Sequence, residues 1–148
     1  MESSETIELR ANGLTFSALA QGTGPVVLCL HGFPDHSRSF RFQLPVLAEA
    51  GFRGIAPMLR GYEPCSQPAD GDYHIVRMAE DVVGWLDELG EKQVHLVGHD
   101  WGAVIAYAVC ALAPERFRSL TTLAIPNPGR LFGEGIRKYP SQLRNSWY

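Results

Sequence analysis

The sequence predicts an α/β fold, a mostly parallel sheet with helices on both faces, from three observations. The chain opens with a hairpin pattern, strand-type and helix-type segments then alternate, and two of the strand-type runs are continuously apolar. A strand covered on both faces reads that way, whereas a half-exposed strand alternates. At 148 residues, 45% hydrophobic and 20% charged, the chain has one domain's length and can bury a substantial core.

Each element follows from local chemistry. Residues 6–11 and 14–20 flank Asn12-Gly13, a pair that accepts the left-handed backbone of a two-residue hairpin turn. Residues 25–30, Pro-Val-Val-Leu-Cys-Leu, form a buried-type strand. Residues 37–50 read as helix ending on Gly51, with Pro45 imposing a break or two short helices. A short strand follows at 52–56, and then a loop at 60–73 carrying Gly61, Pro64, Pro68 and Gly71. Apolar residues at 75, 78, 79, 82, 83, 86 and 89 form a helical stripe stopped by Gly90. Residues 93–97 are the second buried-type strand. Residues 101–113 are apolar almost all round, which predicts a deeply buried helix, and 120–125 form one more strand. From Pro126 the pattern decays into Gly- and Pro-rich loop and a polar tail.

Composition narrows the function. The net charge is −3 and no basic run exists, so neither nucleic acid nor an anionic membrane is an expected partner. The polar, acidic start at residues 1–5 argues against a signal peptide, and no apolar stretch approaches the roughly 18 residues of a membrane span. Cys29, Cys65 and Cys110 are odd in number and lack metal spacing, so they read as buried thiols of a cytoplasmic protein. Phosphate loop, dinucleotide fingerprint and metal cluster are all absent from the sequence, and no cofactor is expected.

Two motifs carry chemistry, each at the C-terminal end of an expected parallel strand, where open α/β sheets bind ligands. Gly98-His99-Asp100-Trp101-Gly102 has the form Gly-x-nucleophile-x-Gly between a strand and a helix, the context of a nucleophile elbow. The glycines let strand and helix backbones approach, and the central residue is forced into a strained conformation with its side chain exposed. That residue is Asp100, and a carboxylate attacks carbon to leave an alkyl ester. His31-Gly32-Phe33-Pro34 directly follows the strand 25–30. A loop there supplies one oxyanion-hole N–H and the residue after the nucleophile the other, which designates the amides of Phe33 and Trp101. A lone Gly-x-Asp-x-Gly is ordinarily only a turn; the two motifs in this order on these strands make a site. His99 is expected to pack or to support its neighbour rather than to act as a base, and His36, His74 and His95 are expected to be structural or on the surface.

These residues resemble the epoxide hydrolase and haloalkane dehalogenase branch of the α/β-hydrolases. The matches run from His31-Gly32-Phe33-Pro34-Asp35 through Arg60-Gly61-Tyr62 to Gly98-His99-Asp100-Trp101-Gly102, with Ile125-Pro126-Asn127-Pro128 similar to the strand end that leads into that family's cap. Residues 142–148 resemble a first cap helix. The resemblance implies an Asp100 nucleophile, oxyanion amides from Phe33 and Trp101, a cis peptide before Pro34, a core over 1–126 and the start of a cap over 127–148. It also implies a small-molecule substrate, an epoxide opened to a diol or, as the alternative, an organohalide. The likeness to epoxide hydrolases is the closer. One departure lies in Met58-Leu59-Arg60-Gly61-Tyr62-Glu63, where relatives often have Asp two residues before the Arg and Gly after the Tyr.

The triad of this fold runs nucleophile, acid, histidine in chain order. After Asp100 the sequence holds no histidine, and Glu115 and Glu134 are its only acids. The expectation is therefore half an active site, truncated after about the sixth strand, that does not turn over: a fragment, a truncated reading frame or one piece of an assembly. A non-catalytic remnant of the fold that binds a partner is the reading from a different class. The strand 120–125 would then be an unpaired apolar edge.

Overall fold

The computed structural model describes residues 4–141, and the cap-helix resemblance at 142–148 lies outside them. Strands β1 (Glu5–Ala11) and β2 (Leu14–Gln21) form the hairpin, with Ala11 opposite Leu14 and both turn residues left-handed, at φ +50 for Asn12 and +73 for Gly13. β3 (Val26–Leu30), β4 (Arg53–Pro57), β5 (Val94–His99) and β6 (Phe117–Leu123) complete a six-stranded sheet in the order β1-β2-β4-β3-β5-β6. The hairpin is antiparallel to β4, and β4, β3, β5 and β6 run parallel.

The alternation of side chains along β3 divides the core in two. Val26, Leu28 and Leu30 face one side, where helices α2 (Ile75–Glu88) and α3 (Trp101–Leu112) deliver Val82, Trp85, Leu86, Ile105 and Val109. Trp85 lies edge-on against Phe16 at 5.0 Å. Val27 and Cys29 face the other side, under Phe40 and under Leu44 of helix α1 (Gln43–Glu49). Helices therefore do cover both faces, and β3 is buried at all five positions.

Several boundaries and burial expectations shift. The segment 37–50 is a 3-10 turn at Ser37–Phe40 followed by α1, with Pro45 inside the first turn of α1, where its missing N–H costs nothing. β5 continues two residues past Val97 to His99, and the last strand begins at Phe117 and ends at Leu123, before Ala124 at φ +70. Helix α3 is not enclosed all round: Gly102, Ala103, Ile105, Ala106 and Val109 are buried, while Trp101 is 51% and Leu112 52% exposed. Beyond Pro126 the described chain forms short helical turns rather than open loop. Cys65 is exposed rather than buried, because it sits in the surface turn Pro64–Ser66; Cys29 is buried and Cys110 half-buried. Among the described residues no helix is long and apolar enough to cross a membrane.

Candidate active site

The elbow is built by close backbone contact. A Cβ added at Gly102 would stand 2.2 Å from the carbonyl oxygen of Leu30, and one at Gly98 would stand 2.5 Å from that of Gly102. Only glycine lets the start of α3 press against the ends of β3 and β5. Asp100 takes up the resulting turn at φ +55 and ψ −121, a strained backbone for a residue with a Cβ, worth about 1–3 kcal/mol. The peptide groups around it are fixed: the Asp100 N–H donates to Leu123 O at 3.2 Å, and its carbonyl accepts from Ala103 N at 2.9 Å.

Aspartate at the N-cap of a helix ordinarily accepts from the helix's own amides. Asp100 makes no such cap. Its Oδ1 instead accepts from the backbone N–H of Phe33 at 2.8 Å. The loop after β3 is thus in contact with the elbow, and Gly32 is what permits it: a Cβ there would lie 2.5 Å from Asp100 Cβ. The Phe33-Pro34 peptide is cis, as the resemblance implies. Trp101 follows at the first position of α3, so its amide is one of the orphan donors of a helix N-terminus.

His31 is wholly buried and holds the loop from behind. The Leu59 N–H donates to its Nε2 at 3.1 Å, so the ring proton sits on Nδ1, which donates to Gly32 O at 2.8 Å. Burial lowers its pKa and keeps it neutral, outweighing the opposing hydrogen bond to Gly32 and the charge of Asp35. The Tyr62 ring meets the His31 ring edge-on at 4.6 Å, and its hydroxyl donates to Gly32 O at 3.3 Å. Burial and then the charges of Asp100 and Asp35 push the phenol's pKa up, so it stays a donor. The other histidines are structural, as expected: His36 and His74 cap helical turns, and His95 hydrogen-bonds Ser119. The His99 side chain, expected to pack or to support its neighbour, is exposed, on the face of β5 opposite Gly98, which is buried.

The Arg60-Gly61-Tyr62 segment owes its shape to a partner the sequence does not advertise. Arg60 and Asp81, both buried, form a two-bonded ion pair at 2.7 Å for each contact, and Asn12 Nδ2 donates to the same carboxylate at 2.7 Å. The hydrogen bonds that Arg60 donates to Asp81 raise the guanidinium pKa and keep it charged. Glu63, next in the loop, accepts from the Ser17 amide at 2.9 Å and from the Ser17 hydroxyl. An apolar pocket opens beside this arrangement, lined by Phe33, Tyr62, Tyr73, Met78, Trp101 and Ile105. Among the described residues no group of His, Cys, Asp and Glu is placed to hold a metal ion.

Comparison with known proteins agrees with this architecture. Residues 25–147 match the family model for the alpha/beta hydrolase fold. The chain is 45% identical over 142 residues to epoxide hydrolase 3 of Siraitia grosvenorii, covering 93% of this chain and 45% of that protein. It is 40% identical over 118 residues to epoxide hydrolase A of Mycobacterium tuberculosis, covering 78% of this chain and 37% of that protein. An epoxide hydrolase structure from Vigna radiata superposes with a TM-score of 0.80 at 32% identity, over 95% of this chain and 54% of that one. The chain thus spans about half the length, or less, of the relatives it matches.

Proposed function

Because the chain belongs to the alpha/beta hydrolase fold family, and is similar there to epoxide hydrolases, we propose that it carries the attacking half of an epoxide hydrolase site, with Asp100 as nucleophile. The observation that carries the reading is the Phe33 N–H donating to Asp100 Oδ1 at 2.8 Å while Asp100 is held at φ +55. That bond leaves Oδ2 as the oxygen free to attack. Its lone pair forms a bond to an epoxide carbon, the carbon–oxygen bond of the ring breaks, and the pair passes to the epoxide oxygen, which takes a proton from solvent water. The product is an ester of Asp100 whose carbonyl oxygen, Oδ1, already rests on the Phe33 amide.

Water then adds to the ester carbon, and the negative charge collects on Oδ1. Phe33 N–H and Trp101 N–H are the donors assigned to it; one such donor is typically worth about 10²–10³ in rate. The water needs a base, and no histidine follows His99 in these 148 residues. We assign residues 1–126 to the core and 127–148 to the start of a cap. Gly32, Gly98 and Gly102 provide the approach, and His31 and Pro34 shape the oxyanion loop. The pocket beside Phe33 and Trp101 suits the apolar substituent of a small-molecule epoxide. The chemistry needs neither metal nor organic cofactor.

Intact-mass analysis after incubation with styrene oxide tests the reading. One covalent adduct is expected in the 148-residue chain and none in Asp100→Asn. An adduct formed with a 1-bromoalkane but not with the epoxide would move the assignment to organohalide chemistry. An equal adduct in Asp100→Asn would sink Asp100 as nucleophile.

A further inference from the structure

The Phe33 N–H that meets Asp100 and the Gly32 carbonyl that accepts from His31 and Tyr62 belong to one peptide group. A trans peptide is planar, with its C=O and N–H pointing in opposite directions. Two donors on the oxygen therefore fix the direction of the N–H at the other end. They also draw electron density toward the oxygen, which makes the N–H a stronger donor. Both donors come from, or lean on, the segment 59–62: Tyr62 belongs to it, and the Leu59 N–H fixes the His31 ring. That segment is held down by Arg60, gripped by Asp81 of α2, whose carboxylate is in turn held by Asn12 of the hairpin turn.

We propose that the Arg60–Asp81 ion pair is a positioning device for the oxyanion hole, acting through Tyr62 and His31 on the Gly32-Phe33 peptide plane to aim the Phe33 N–H at Asp100. The inference rests on the reading of Asp100 as nucleophile only for its catalytic consequence; the clamp itself is a statement about one amide. Arg60, Tyr62, His31 and Asp81 are positioning residues in this reading, since each acts on Asp100 through the Gly32-Phe33 peptide. The same arrangement gives the exposed turn at Asn12 a line of hydrogen-bonded contact to Asp100, charge-assisted at its Asp81 and Asp100 ends, rather than through the sheet.

The test reads the Phe33 amide directly, by its proton chemical shift and its hydrogen exchange relative to the core amide of Leu28. Tyr62→Phe removes one hydroxyl and no packing. It is expected to move the Phe33 proton upfield, to speed its exchange about threefold to tenfold with Leu28 unchanged, and to slow adduct formation with styrene oxide by a similar factor. Arg60→Met with Asp81→Leu removes both charges together, so no lone buried charge remains to unfold the protein, and is expected to have the larger effect on Phe33. Asn12→Gly keeps the left-handed turn and loses only the outermost link, for the smallest effect. Arg60→Lys, which keeps the charge but not the two-pronged contact, is expected to fall between wild type and the double variant. A Phe33 amide whose shift and exchange follow Leu28 in Tyr62→Phe and in the double variant overturns the proposal. If the wild-type chain forms no adduct while Phe33 still responds to these variants, the clamp stands and the assignment of Asp100 as nucleophile fails.

Discussion

Strand β3 is buried at all five positions, whereas β6, two places along in the same sheet, carries only half-buried and exposed residues. The groups that position Asp100 divide the same way. β3 delivers the loop with His31, Gly32 and Phe33, and β5, its parallel neighbour, delivers the elbow. β6 contributes one described link, the carbonyl of Leu123 on the Asp100 amide. The candidate nucleophile is thus fixed from the buried centre of the sheet outward. The centre sets the geometry of Asp100, and the outer strand adds one backbone contact.

Gly102→Ala should break this contrast most severely. Its Cβ would be pressed on backbone atoms of Leu30 and His31, which have no room to yield, so a loss of about 3 kcal/mol or more is expected in urea denaturation. A stable, folded Gly102→Ala protein would show that the elbow is looser than its distances imply. Leu28→Ala and Leu120→Ala sharpen the comparison between the strands. Leu28 is fully buried, and its truncation should cost about 2–5 kcal/mol, against about 1 kcal/mol for half-buried Leu120. Equal losses would erase the distinction between β3 and β6.

The smallest expected effect is on pH dependence. Burial lowers the His31 pKa below its ordinary 6.5 in the folded chain, so the unfolded chain binds the proton first. The stabilisation is complete above pH 6.5 and is lost as pH falls through the folded value, when protonated Nε2 can no longer accept from Leu59. Denaturation at a series of pH values should show stability declining below 6.5, with a shallower decline in His31→Gln. An unchanged slope in that variant would remove His31 as the titrating group.

What the sequence announces and what it conceals follow a physical divide. The elbow and the loop after β3 are legible because their constraints are local: Gly98, Asp100 and Gly102 must be spaced as they are for β5 to turn into α3. The alternation that predicts the two-sided sheet is local too. Asp81 is not legible, because it lies on the helical face beside the apolar stripe, and its partners Arg60 and Asn12 stand 21 and 69 residues away. Tyr62 could have been singled out as part of Arg60-Gly61-Tyr62, but its contact with the Gly32 carbonyl depends on how two loops meet. The exposure of Cys65 is not legible for a related reason: its turn lies on the surface, a matter of tertiary placement. The exposure of His99 follows from strand alternation, because the buried position at that end of β5 falls to Gly98.

The central proposal is that Asp100 attacks an epoxide and that these 148 residues hold the product as an ester. Its most direct test is a time course with styrene oxide, following adduct by mass, its position by peptide fragmentation, and diol in the supernatant. The expected result is a plateau at one adduct per chain, located on Asp100, with no diol beyond the uncatalysed background. Steady release of diol, or an adduct located on any other residue, would contradict it.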